Sequence, residues 1–431
     1  MYNKVEIILD YRKGEHKMNY QLYTKVNDGG QVVSKIIVEC DGNVEGSSIS
    51  LSQFDISVKR SLNGTELDHA KRRVKSVYTS ATPNGHPSLS GKYVHLVLLT
   101  KNNTKSAGTL TYDIVDMVTK RVDLDYTVEL KEPISTVDGN IVVPHVLEYT
   151  GTINAGVDEF EKYQSTSGLL YREYAPTFDG NKKALIVWLH GMGEGGKDND
   201  LPITGNRGGT AFISKEVQRI FGGAYVVAPQ CPTFWMPFEY KGVFTENNYT
   251  KELLALIDEV CVFHPDIDEN RIYIGGCSMG GYQTLKTVLA APHRFAAAFP
   301  ICPAYELSQK EANRIKHVPM FFTHCMTDTT VPSSNSVRNY ERLNKAGSDC
   351  EITLYSDIRC KGETYHAHAA WVPALNNEPT SRDGEHLFEW VAKHTRTQVP
   401  SKKKWILPAI IGGAIICGAA AAILLHELKE D

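Results

Sequence analysis

The chain has 431 residues, 50 of them acidic and 46 basic, for a formal charge of −4. That length exceeds a single hydrophobic core and suits two domains of roughly 130 and 240 residues, and the missing basic surplus argues against nucleic acid as a partner. The nine cysteines are scattered, without C-x-x-C pairs or histidine-rich ligand spacing, so no metal, no cofactor and no dense disulfide framework is expected. Cys350 and Cys360 could bridge in an oxidising compartment, but reduced, buried thiols are the expectation.

From residue 1 to 135 alternating apolar runs recur: Val5 to Leu9, Val32 to Val38, Phe54 to Val58 and Tyr93 to Leu99. Turn-forming clusters such as Asn27-Asp28-Gly29-Gly30 and Asn63-Gly64 separate them. Short strands at this spacing, with little helical periodicity, predict an all-β antiparallel sandwich. Residues 136–156 read as a mixed connector, and no internal repeat is visible.

The pattern changes over 157–396. Ala184 to Leu189 is a near-continuous apolar strand that ends in His190-Gly191-Met192-Gly193-Glu194-Gly195-Gly196. Backbone N–H groups that face developing negative charge need close approach, which glycine permits; Gly191 and the N–H of Met192 are the candidates. A phosphate-cradling loop would need Gly-Lys-Ser/Thr, whereas Gly196-Lys197 is followed by Asp198.

Further on, Arg271 to Ile274 is a short strand running into Gly276-Cys277-Ser278-Met279-Gly280, with helical periodicity from Gly281 to Ala291. G-x-S-x-G between a strand and a helix is the nucleophile-elbow pattern of α/β-hydrolases. The serine must sit on a sharply turned backbone, and a Cβ at either flanking glycine would crowd the neighbouring strand and helix. Ser278 is thus the candidate nucleophile and the N–H of Met279 the second oxyanion donor. Asp328 follows another strand run, Val318 to His324, where catalytic groups of open α/β sheets gather; it is the candidate acid. Beyond the strand-like Glu351 to Tyr355, both His366 and His368 could serve as base, and spacing alone does not separate them.

Taken together, these stretches resemble the serine hydrolases of the prolyl-oligopeptidase and polyhydroxybutyrate-depolymerase-like esterase group. The resemblance rests on Gly168 to Arg172, His190 to Glu194, Ala228-Pro229-Gln230-Cys231-Pro232 with Trp235, Asp268 to Tyr273 leading into the elbow, and His368-Ala369-Ala370-Trp371. It covers about 155–396. In this group the histidine three residues before the tryptophan is the base, which implies His368; its usual Gly and Asp neighbours are Ala367 and Ala369 here. Trp235 and Trp371 are candidate walls of the substrate pocket together with Gly191, with packing in the core the alternative for either tryptophan. The upstream half, with Leu51, Phe54, Val74, Tyr78 and Ser90 to Tyr93, resembles the immunoglobulin-like domain found in front of such esterases. It would serve as a packing or homo-oligomerisation module that shields one side of the cleft; carbohydrate binding on aromatic platforms is the alternative, for which this half offers several Tyr and no Trp.

At the C-terminal end, Lys402-Lys403-Lys404 close a basic linker, 397–404, and precede an uncharged stretch, 405–425. As a helix that stretch would span about 30 Å, the thickness of a bilayer core. The expected fold class is therefore an α/β-hydrolase domain preceded by an immunoglobulin-like sandwich and followed by a single C-terminal transmembrane helix. The positive-inside rule would put the catalytic domain on the cytoplasmic side, in keeping with an N-terminus that shows no secretory signal; the extracellular face stays open. The function expected is membrane-anchored hydrolysis of a small carboxylic ester through Ser278, His368 and Asp328. Peptidase activity on short peptides uses the same groups, and an envelope scaffold with a degenerate hydrolase domain is the non-enzymatic alternative.

Overall fold

The computed structural model describes residues 18–396, apart from 102–103, 241 and 247–248. Its first part is a sandwich of two sheets. One holds, in spatial order, Glu148–Ala155, Asn19–Asn27, Gly30–Glu45, Ser90–Leu98 and Val74–Ser80; the other holds His145–Val146, Asp123–Leu130, Phe54–Leu62 and Thr65–Lys71. Alternation decides which side chains meet. Along Asn19–Asn27, Tyr20, Leu22 and Thr24 are buried while Gln21, Tyr23 and Lys25 face outward. Tyr20 and Leu22 join Ile36, Val38, Val58, Leu96 and Val128 in one core between the sheets.

Two expectations are corrected in this part. Residues 136–156 are more than a connector, because Glu148–Ala155 pairs parallel with Asn19–Asn27 and forms an edge of the first sheet. The Thr150 hydroxyl donates to Tyr20 O at 3.1 Å, and the Tyr149 and Tyr20 rings lie 5.6 Å apart; those contacts hold a strand that burial alone would not. The sandwich is accordingly not purely antiparallel. The strand expected over Val5 to Leu9 lies outside the described residues.

The second part is an eight-stranded sheet in the order Glu161–Gln164, Leu170–Tyr174, Ala224–Gln230, Lys183–Leu189, Ile267–Cys277, Ala297–Ile301, Met320–Cys325 and Cys350–Tyr355. From Ala224–Gln230 onward all neighbours run parallel. Parallel strands need crossovers, and the helices Thr250–Phe263, Met279–Ala290 and Ser334–Lys345 supply them. The central strands are mostly apolar where both faces are covered, as in Ala184 to Leu189 and Ile272 to Ile274. Ala184, Ile186 and Trp188 belong to the core on one face, and Leu185, Val187 and Leu189 to the core on the other. Lys183–Leu189 and Ile267–Cys277 are neighbours, and Met320–Cys325 follows one strand further on; running parallel, all three end on the same edge of the sheet, where the loops that follow them open.

The expected fold class needs a further correction: the transmembrane helix is not part of the observed architecture. Among the described residues no helix is long and apolar enough to cross a membrane, and both the linker 397–404 and the span 405–425 lie outside them. Cys350 and Cys360 are free, as are the other cysteines among the described residues.

Candidate active site

Ser278 sits between the strand Ile267–Cys277 and the helix Met279–Ala290 with φ 57° and ψ −115°. A non-glycine residue there carries strain of about 1–3 kcal/mol. Tertiary contacts hold it: the Ser278 N–H donates to Ile301 O at 2.9 Å, and Ser278 O accepts the first helical bond from Tyr282 at 3.0 Å. The flanking glycines are required by close approach. A Cβ on Gly276 would lie 2.4 Å from Leu189 O, and one on Gly280 would lie 2.0 Å from the same oxygen. The elbow is pressed against the end of the neighbouring strand, which places Ser278 beside the loop that starts at His190.

His368 Nε2 lies 2.9 Å from Ser278 Oγ, and its Nδ1 lies 2.7 Å from Asp328 Oδ2. Because Nδ1 faces a carboxylate, it carries the hydrogen and donates; Nε2 is left bare and accepts from the serine hydroxyl. Asp328 has a fully buried side chain. Burial alone would raise its pKa, but hydrogen bonds from His324, from His368 and from the Val331 N–H outweigh burial and hold the carboxyl below the ordinary carboxylate range. Its other oxygen, Oδ1, accepts from Thr330 N at 2.8 Å and Val331 N at 3.0 Å, which fixes the carboxylate plane. His366, the alternative base, is exposed and meets neither group; its Nδ1 accepts the His368 backbone N–H at 3.2 Å and so supports the loop.

His190 organises the other wall. Its Nε2 accepts the Cys231 N–H at 2.9 Å, so Nδ1 carries the hydrogen and donates to Gly191 O at 2.6 Å. Burial pushes the imidazole down to about 4, so this neutral tautomer persists near neutral pH. The trans peptide points its C=O and N–H in opposite directions; holding Gly191 O toward His190 therefore turns the Met192 N–H the other way. The N–H groups of Met192 and Met279 meet no acceptor among the described residues. Met279 is the first helical residue, where the helix dipole adds positive potential.

The loop ends in the single 3₁₀ turn Met192–Glu194. Glu194 is half-buried as a residue with its carboxyl enclosed, and burial pushes that group up to about 7. Asn206 donates to it at 3.3 Å. The sandwich also reaches this turn: a Cβ on Gly193 would lie 3.1 Å from Thr119 Oγ1 and 3.4 Å from the Tyr112 ring. Both belong to a two-stranded hairpin, Leu110–Asp113 with Val118–Arg121.

The two tryptophans part company. Trp371 packs edge-on against His368, ring centroids 5.5 Å apart, at the rim of the site. Trp235, for which pocket wall and core were both open, is fully buried and packs as a core residue. Its ring lies against His190 and Tyr249, and its backbone N–H donates to Met279 Sδ at 3.2 Å. Cys302 Sγ, Asp328 and His368 offer ligand atoms within 4.8 Å of one another. Burial pushes the Cys302 thiol well up, and Asp328 and His368 already bond each other; that donor set favours a proton path over a cation cage. Sequence reasoning missed His324, which is fully buried, donates from Nε2 to Asp328 Oδ2 at 3.2 Å and to Val331 O at 3.1 Å, and accepts from Ser336 Oγ at Nδ1 at 2.7 Å. Its position four residues before the acid, at the end of a strand, was the available signal.

Comparison with known proteins identifies the family of both parts of the chain. Residues 19–143 match the esterase immunoglobulin-like N-terminal domain, and residues 177–363 match the phospholipase/carboxylesterase family. The crystal structure of a thermostable esterase is similar over 88% of this chain and 100% of that one, with 30% identity and a TM-score of 0.76. A probable carboxylesterase SOBER1-like protein of Arabidopsis thaliana is 23% identical over 259 residues, 55% of this chain and 86% of that protein. With an immunoglobulin-like module in front and a sheet of this order behind it, the chain belongs to the α/β-hydrolase family of esterases.

Proposed function

We propose that this esterase cleaves carboxylic esters through an acyl-enzyme on Ser278. The observation that carries the reading is the unbroken hydrogen-bond path from Asp328 Oδ2 through both nitrogens of His368 to Ser278 Oγ, at 2.7 and 2.9 Å. Ser278 Oγ attacks the ester carbonyl while His368 Nε2 takes its proton. The Met192 and Met279 N–H groups receive the oxyanion, each such donor contributing about 2.7–4 kcal/mol of barrier lowering. His368 then returns the proton to the departing alcohol. Water, deprotonated by the same nitrogen, attacks the acyl-serine and releases the acid. Asp328 keeps Nδ1 protonated and stabilises the imidazolium at each step.

The test is covalent labelling by a fluorophosphonate together with p-nitrophenyl ester turnover. Both are expected to disappear in Ser278→Ala while its circular dichroism stays that of the parent. Labelling that persists in the variant overturns the assignment. Faster turnover of aminoacyl anilides than of matched esters would replace ester with amide specificity.

A further inference from the structure

Away from the serine, a cleft of about 720 Å³ opens between the outward face of the first sandwich sheet and the hairpin Ile358–Cys360 with Glu363–Tyr365. Five lysines line it: Lys25, Lys35, Lys75, Lys101 and Lys361. Only two carboxylates share the lining, and one is already engaged: Asp28 accepts from Arg207 at 3.3 Å and from Asn376 at 2.8 Å. Glu363 alone is left to face the lysines. Such a concentration of positive charge stands out in a chain whose formal charge is −4.

The lysines converge by construction. Tyr23 pairs in register with Lys35, and Lys25 lies two residues along the same outward row. The register shifts between Val74 and Ser76, so Lys75 is the extra residue of a bulge, a device that re-aims a side chain. Lys361 comes from the opposite domain. Among the described residues Lys25, Lys75 and Lys101 make no ion pair. Burial, with repulsion from Lys361 and Lys75, lowers the pKa of Lys25; burial and Lys25 lower that of Lys35. Lys35 Nζ also lies 3.9 Å over the Tyr23 ring, which holds its ammonium in the cleft. Like charges gathered from two domains repel one another, and an anion seated between them removes that repulsion.

We propose that this interdomain cleft binds a small polyanion carrying two or more phosphate or sulfate groups. The volume suits such a ligand, and lysine ammoniums serve such groups as point charges from several directions. One charged group would sit between Lys25, Lys75 and Lys361, joining the sandwich to the hairpin that leads into His366 and His368.

Titration calorimetry and thermal melting of the full chain at constant ionic strength test this, with tripolyphosphate as the phosphate probe and sucrose octasulfate as the sulfate probe. Saturable one-to-one binding of at least one probe and a rise in melting temperature are expected, and the tighter probe names the group. The double variant K25A/K75A is expected to weaken binding about tenfold while ester turnover is unchanged. A second variant, K59A/K71A, removes exposed lysines elsewhere on the sandwich and is expected to bind as the parent does. Binding no better than that of sodium chloride at equal ionic strength, or equal binding by K25A/K75A and the parent, overturns the proposal.

Discussion

Each half of this molecule sets a serine hydroxyl against a histidine ring, and a comparison of Ser80–His95 with Ser278–His368 shows what builds such a pair for chemistry. In the sandwich, Ser80 Oγ lies 2.7 Å from His95 Nε2, and both residues are fully buried. The single hydroxyl hydrogen of Ser80 goes to Thr82 O at 2.6 Å, so His95 must donate to the serine, the reverse of what a base does. No carboxylate meets its other nitrogen, and its ring stacks flat on Tyr78 at 4.4 Å. In the hydrolase domain the polarity is inverted. Asp328 occupies Nδ1, the bare Nε2 accepts from Ser278, and a positive φ presents the hydroxyl at the edge of the sheet. The pair of side chains is common to both; the third group and the backbone conformation decide what the pair can do.

The sharpest way to break that comparison is to remove each serine in turn. Ser278→Ala is expected to lower kcat by roughly 10⁴- to 10⁶-fold, whereas Ser80→Ala should leave kcat within about twofold, read with a p-nitrophenyl ester. Next in size, Asp328→Asn should cost about 10⁴ in kcat by offering His368 the wrong tautomer, with little loss of fluorophosphonate-independent folding signals such as near-ultraviolet dichroism.

Burial gives a sandwich imidazole and a carboxyl of the oxyanion loop pH signatures of opposite sign. Burial holds His95 down to about 4, below its ordinary value near 6.5. The unfolded chain therefore binds the extra proton first, and stability should fall as pH drops from about 6.5 to 4. His95→Gln is expected to reduce that fall by at most about 3 kcal/mol, leaving the part that His190, held down to about 4 in the same way, contributes. Glu194 has the opposite sign. With its carboxyl pushed up to about 7 from 4.5, the folded state holds the proton longer, so this group's contribution is complete below about 4.5 and lost as pH rises through 7. Glu194→Gln should gain in melting temperature relative to the parent over that window, the smallest of these effects.

Much of the catalytic half was legible in the sequence because its constraints are local. A strand, two glycines and a helix must be contiguous to make the elbow, and the clash distances at Gly276 and Gly280 state why no other residue serves. The chain order of serine, acid and histidine was likewise readable. What spacing could not settle was which of His366 and His368 faces the serine, since two residues along a loop can point either way; family resemblance made that choice. Trp235 stayed open between pocket and core because an aromatic residue near a site sequence looks the same whether it lines the cleft or lies beneath it. His324 and the hairpin bearing Tyr112 and Thr119 depend on contacts between distant segments, which no local pattern encodes. The parallel edge strand Glu148–Ala155 was missed for the same reason: its partner lies more than a hundred residues upstream.

The bond from the Ser278 amide to Ile301 O carries a consequence for assembly. That amide is satisfied by the neighbouring strand Ala297–Ile301, which itself pairs with Met320–Cys325 through Ile301 and Thr323. A left-handed serine is thus affordable only after three strands separated along the polymer have docked. The conformation that exposes the reactive alcohol is therefore a property of the assembled sheet and not of the five-residue elbow in isolation.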